Sequence, residues 1–103
     1  MTEYDEHIRS LRTRAEAERA TITKLDAQVK DTYLKDLLRR SQNLVGDVET
    51  YFIRHALEAR SAPQRFSMWL NLAESTLNLA AQQREGVQDI VGKYGTDAQS
   101  IGG

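Results

Sequence analysis

Apolar residues recur at helical spacing along nearly the whole chain, and three stretches separate by where the apolar stripe falls. In the first, residues 3–30, Tyr4, Ile8, Leu11, Ala15, Ile22, Leu25 and Val29 follow one another at intervals of three, four and seven. At about 100° per residue they lie on one line, a narrow heptad seam of the coiled-coil kind. Glu18 occupies that seam between Ala15 and Ile22 and weakens it.

The second stretch, residues 32–60, is broader. Tyr33, Leu34, Leu37, Leu38, Leu44, Val45, Val48, Tyr51, Phe52, Ala56 and Ala59 form its apolar side. They cover about 140° of arc on a helical wheel. Lys35, Asp36, Arg39, Arg40, Asp47, Glu49, Arg54 and Glu58 lie opposite. Gly46 sits on the polar side, where it costs about 1 kcal/mol relative to Ala and suggests a bend or a close approach.

The third stretch, residues 63–93, is apolar around most of its circumference. Phe66, Trp69, Leu70, Ala73, Leu77, Ala80, Val87 and Val91 form one strip, and Met68, Leu72, Leu79 and Ile90 a second beside it. Together they span about 220°, more than one neighbouring helix can cover, so this helix is expected to touch at least two others. The remaining strip, with Ser67, Asn71, Ser75, Asn78 and Gln82, is polar but nearly uncharged.

Ser61-Ala62-Pro63 is the strong break in the chain. Ser61 suits an N-cap, Pro63 suits the first helical turn, and Pro63 disfavours helix at Ala62. Near Asp31 no Gly or Pro intervenes, but the apolar face moves by about 100°, which ordinary heptad drift does not explain. Asp31 or Thr32 could cap a new helix there.

Two all-α architectures follow. One is a three-helix bundle of nearly equal helices over 3–30, 32–60 and 63–93. The other is a helical hairpin with a long N-terminal coiled-coil arm, in which the first two stretches form a rod of about 85 Å. Equal helix lengths favour the bundle. In either case 1–94 reads as a single helical domain and 95–103 as a flexible tail.

Composition narrows the function. Fourteen Lys and Arg against fifteen Asp and Glu give a net charge of −1, which argues against general nucleic-acid binding. The absence of Cys removes disulfides, thiol catalysis and zinc ribbons. The acidic start MTEYDEHIRS is not followed by the apolar run of a secretory leader. Phe66 to Gln83 carries only Glu74, yet its Ser, Asn and Gln residues make it too polar to cross a membrane. A cytoplasmic location is the default expectation, with leaderless secretion left open.

Few residues suggest chemistry. His55 and Glu58, at i and i+3, are weak metal candidates, because carboxylates and His on one helix face supply ligands in di-metal bundles. The order is reversed from Glu-x-x-His and occurs once, so His55 reads as a core-edge histidine and no metal or cofactor is expected. Arg39-Arg40 with Lys35 could meet phosphate, but Asp36 and Asp47 share the surface, which reads as a solvated helix face. Ser41 lies about four turns from His55, too far to pair as nucleophile and base.

Size, lack of Cys, helical pattern and a loose C-terminus are similar to the small secreted helical hairpins named for a Trp-x-Gly connection. Here the Trp sits in Trp69-Leu70-Asn71, inside a helix and without the Gly, and Tyr94 is followed by an acidic residue at three positions rather than four. The similarity stops at general shape.

These readings point to a non-enzymatic interaction or structural assembly protein, pairing with itself as a homo-oligomer or with another helical protein. The expected interface draws on Met68, Trp69, Leu72, Leu79 and Ile90 together with the seam residues Ile8, Leu11, Ile22 and Leu25. A ligand- or metal-binding bundle using His55 and nearby carboxylates, and a small nucleic-acid-associated adaptor, are the alternatives.

Overall fold

The computed structural model describes residues 3–95, the side chains of Glu3 and Tyr4 excepted. The seam position Tyr4, as a side chain, and the tail beyond Gly95 therefore lie outside the described residues. All described regular structure is helical.

Helix α1 spans Glu3–Gln28. Its last turn closes with the Val29 N–H on the Leu25 carbonyl at 3.1 Å. The chain then extends at Asp31 (φ −64°, ψ 126°), whose carboxylate accepts the Leu34 N–H at 2.9 Å. Asp31 is thus the N-cap of α2, Thr32–Asp47, satisfying a donor that the helix itself leaves orphaned. The continuous 85 Å rod does not form, and the three-helix bundle is the architecture adopted.

Beyond α2 the backbone stays right-handed and helical but widens into a five-residue π turn, Val48–Phe52, before α3, Ile53–Glu58. The Ile53 N–H reaches back five residues to the Val48 carbonyl. Buried positions run Leu34, Leu38, Ser41, Val45 and Val48 at intervals of four and three, then skip five to Ile53 and three to Ala56. A regular α-helix would aim Phe52 inward after Val48. The extra residue in the wide turn rotates Ile53 there instead, leaving Phe52 half-buried and Tyr51 exposed. Sequence periodicity placed Tyr51 and Phe52 on the core face and omitted Ile53. Gly46 makes no close approach, since a Cβ there would have no neighbour within 4 Å.

A short turn follows, with the Ala62 N–H on the Ala59 carbonyl at 2.9 Å. Ala62 is extended, as the residue before proline must be, and Pro63 opens α4, Pro63–Tyr94. The cap position is Ala62, without a side-chain bond, rather than Ser61. Gly95 ends the helix at φ +85°, a conformation that favours glycine.

Cross-helix pairs fix the topology. His7 with Glu74, Arg14 with Asn78 and Glu18 with Arg84 make α1 and α4 parallel. Asp26 with Lys35 and Arg19 with Glu49 run α2 and the π turn antiparallel to α1, and Ser41 with Gln83 and Phe52 with Trp69 run them antiparallel to α4. The bundle measures 56 × 20 × 16 Å, its long axis set mainly by the 32 residues of α4. Leu11, Ala15, Ile22, Leu38, Val45, Ile53, Leu70, Leu77 and Val87 lie in one continuous core.

Candidate interaction surface

The seam of α1 is turned inward. Ile8, Leu11, Ile22 and Leu25 are all buried in the chain's own core, so none of them offers surface on the folded chain. Glu18 is buried with them and is answered from α4. Arg84 donates to it through Nε at 2.7 Å and Nη2 at 2.8 Å. The guanidinium is held above its ordinary value chiefly by that hydrogen bond, against an opposing effect of burial, with the charges of Glu18 and Glu85 adding to it. Nearby, Ser41 Oγ lies 3.1 Å from the Leu37 carbonyl and 3.0 Å from Gln83 Oε1. That hydroxyl serves packing between α2 and α4.

The second strip of α4 behaves otherwise. Met68, Leu72 and Leu79 are each between two-fifths and one-half exposed, while Ile90 is half-buried against the core. Trp69 is also half-buried. It stacks on His55 (centroids 4.7 Å apart, planes at 21°) and on Phe52 (6.0 Å, 28°), with Tyr51 edge-on at 5.9 Å. Trp69 therefore closes the α3–α4 junction and borders the exposed strip without leading it. A shallow depression beside it is lined by Pro63, Gln64, Ser67, Met68, Asn71, Leu72 and Ser75.

A second apolar line lies on the flank of α2 and the π turn. Tyr33 and Tyr51 are exposed, and Leu37 and Leu44 between them are half-buried. Leu37 and Leu44 repeat at seven residues and share one side of α2, and Tyr51, in the wide turn, lies toward α4, edge-on to Trp69. Helix α1 is met from a different side. Lys35 donates to the Asp26 carbonyl at 2.7 Å, Gln42 to Thr23 Oγ1 at 3.0 Å, and Glu49 pairs with Arg19. Those three also repeat at seven, offset by two residues, or about 200° around the helix. On α4 likewise, α1 meets Glu74, Asn78 and Arg84, on the side away from Met68, Leu72 and Leu79. The α2–α4 pair thus has one face covered by α1 and an opposite, apolar face left open. Among the described residues every large exposed apolar side chain belongs to α2, the π turn or α4. The α2 flank was present in the sequence as part of a broad face. Its exposure could be read only once α1 had a place.

The remaining candidates do not assemble a site. His55 Nδ1 and Glu58 Oε2 are 3.5 Å apart, and among the described residues no group of three His, Cys, Asp or Glu comes together. Asp36 engages both Arg40, at 2.9 Å, and Arg39, at 3.9 Å. Lys35 lies against Asp26. The basic side chains of α2 are thus met by carboxylates of the same chain. No described helix is long and apolar enough to cross a membrane. No family model, curated protein or solved structure matches the chain.

Proposed function

We propose that this is a non-enzymatic interaction protein that works by presenting the open face of its α2–α4 pair to another helical surface. One observation carries the reading: Met68, Leu72 and Leu79 stand exposed along a single line of α4, with no charged residue among them. Burying apolar surface stabilises association by roughly 25 cal/mol per Å², before the cost of ordering both partners. A contiguous apolar patch of this length is uncommon on a surface that stays solvated. Interior packing and carboxylate pairing already occupy Glu18, Arg84, Ser41 and Asp36, which leaves apolar contact as the surface's principal resource.

The test is a photo-crosslinking side chain installed at Leu72 and, as a control on the far side of the bundle, at exposed Arg12. In cells of the source organism, adducts should form from position 72 and not from position 12. Equal labelling at both positions, or none at 72, refutes the reading.

A further inference from the structure

We infer that the occupant of the open α2–α4 face is a second copy of this chain, the two copies forming a four-helix core with α1 on either outer flank. The inference rests on the reading of that face as a docking surface and names its partner.

The argument begins with how the two open lines sit beside each other. Within the chain, Ser41 lies against Gln83, and Trp69 against both Phe52 and His55. Carried along the antiparallel pair, that alignment sets Tyr51 level with Leu72, Leu44 with Leu79, Leu37 with Gly86 and Tyr33 with Ile90. Leu37 and Leu44 step by seven along α2, with Tyr51 beyond them in the wide turn, and Leu72, Leu79 and Gly86 step by seven along α4. Two lines that repeat together in level layers are the half-core of a four-helix bundle. They are completed by another antiparallel pair with the same spacing, which a second copy supplies. A two-fold axis along the bundle places α2 of each copy beside α4 of the other, antiparallel throughout. Each layer then holds four side chains, Tyr51 of one copy meeting Leu72 of its partner.

Charge agrees. Between Ser67 and Gly86 the outer side of α4, through Asn71, Ser75 and Gln82, carries no charge, with Arg65 before it and Asp89 beyond it, while the rim of α2 carries both signs in Asp36, Arg40 and Asp47. The two-fold arrangement sets most of each mixed rim against that uncharged strip, and at its end Asp36 and Asp89 are already met by Arg40 and Lys93 of their own helices. A Cβ at Gly86 would meet nothing within 4 Å, leaving room there for the partner's Leu37. The area is of the right order as well. The open lines run for about 30 Å at helical rise, and the bundle is 20 Å wide. Such a footprint approaches the roughly 800 Å² per partner of stable interfaces.

Light scattering behind size exclusion on the purified full chain, over a hundredfold concentration range, reads the outcome directly. The wild type should approach twice 11.7 kDa. Leu72→Glu and Tyr51→Lys, both at positions exposed in the single chain, should each give folded monomers, with circular dichroism confirming the fold. Mixing those two variants should restore a heterodimer, because the carboxylate introduced at position 72 of one copy then meets the ammonium introduced at position 51 of the other. A wild type that stays monomeric overturns self-association. If crosslinks from position 72 persist in cells, docking on this face survives with a different partner. A dimer unaffected by both variants places the interface elsewhere and overturns the inference.

Discussion

Arg84 grips Glu18 with two parallel hydrogen bonds, of 2.7 and 2.8 Å, across the α1–α4 contact. The pair stands where the seam of α1 would otherwise carry an apolar residue. Both side chains are largely buried, at 9% and 17% exposure, so removing one strands the other's charge. Glu18→Ala should cost about 2–4 kcal/mol, somewhat under the value for a fully buried pair because solvent reaches its edge. Glu18→Leu combined with Arg84→Met should recover most of that loss, since two desolvated charges give way to apolar packing. Urea denaturation of Glu18→Leu, Arg84→Met and the double variant closes the cycle. Equal losses from the single and the double variants would show the pair itself to be strongly stabilising.

The wide turn between Val48 and Ile53 should tolerate losing a residue better than α2 or α3 on either side of it. Deleting Thr50, which is exposed, shortens the interval from Val48 to Ile53 from five to four. The turn becomes ordinary α-helix, and both side chains still face the core. The lost contact is the Thr50 hydroxyl on the Gly46 carbonyl, at 2.7 Å. The expected cost is about 1 kcal/mol or less. Deleting exposed Asn43 instead rotates Val45 and Val48 away from the core, at about 1.5–3 kcal/mol for each. Thermal melts of the two deletions should differ widely. Similar melts would mean the wide turn has no role in register.

Ile53 and Tyr51 exchange the importance that periodicity assigns them. Ile53 is 1% exposed and Tyr51 50%. Ile53→Ala should cost about 2–5 kcal/mol through lost burial and the cavity left behind. Tyr51→Ala gives up edge contacts with His55, Phe52 and Trp69, at about 1 kcal/mol. Both are to be measured by denaturation at concentrations low enough to keep the chain monomeric. A larger loss at Tyr51 than at Ile53 would place the wide turn elsewhere.

The helical class, the break at Pro63 and the apolar breadth of α4 were legible because each depends on local spacing alone. The displaced stripe near Asp31 likewise signalled a new helix. What could not be read depends on contacts distant in sequence. Glu18 looked like a flaw in its seam because its partner lies 66 residues away. The π turn inserts one residue into the period, so Tyr51 and Phe52 were assigned to the core face and Ile53 was lost from it. The seam residues Ile8, Leu11, Ile22 and Leu25 look the same in sequence whether they meet a partner or their own chain. Where α1 folds back decides which, and with it which face of the α2–α4 pair stays open.

That fold-back is held by more than its cap. Asp31 accepts the Leu34 N–H at 2.9 Å, and replacing such a cap by alanine costs about 1 kcal/mol. Alanine also favours helix through the junction, and a continuous helix would unite α1 and α2 into a rod. Against that stand Val29 and Leu34, both buried on either side of the break. Lys35 adds a hydrogen bond to the Asp26 carbonyl at 2.7 Å, satisfying one of the acceptors that the end of α1 leaves open. Opening the junction would expose the whole buried seam of α1, and its apolar burial outweighs one cap several times over. Asp31→Ala should therefore lower stability by about 1 kcal/mol while keeping the bundle closed, and Asp31→Asn, which preserves the acceptor, should change little. Small-angle scattering distinguishes the forms: the closed chain keeps the 56 Å long axis, whereas an opened rod lengthens it by about half. A lengthened Asp31→Ala chain would mean the cap, not the packing of α1, holds the bundle shut.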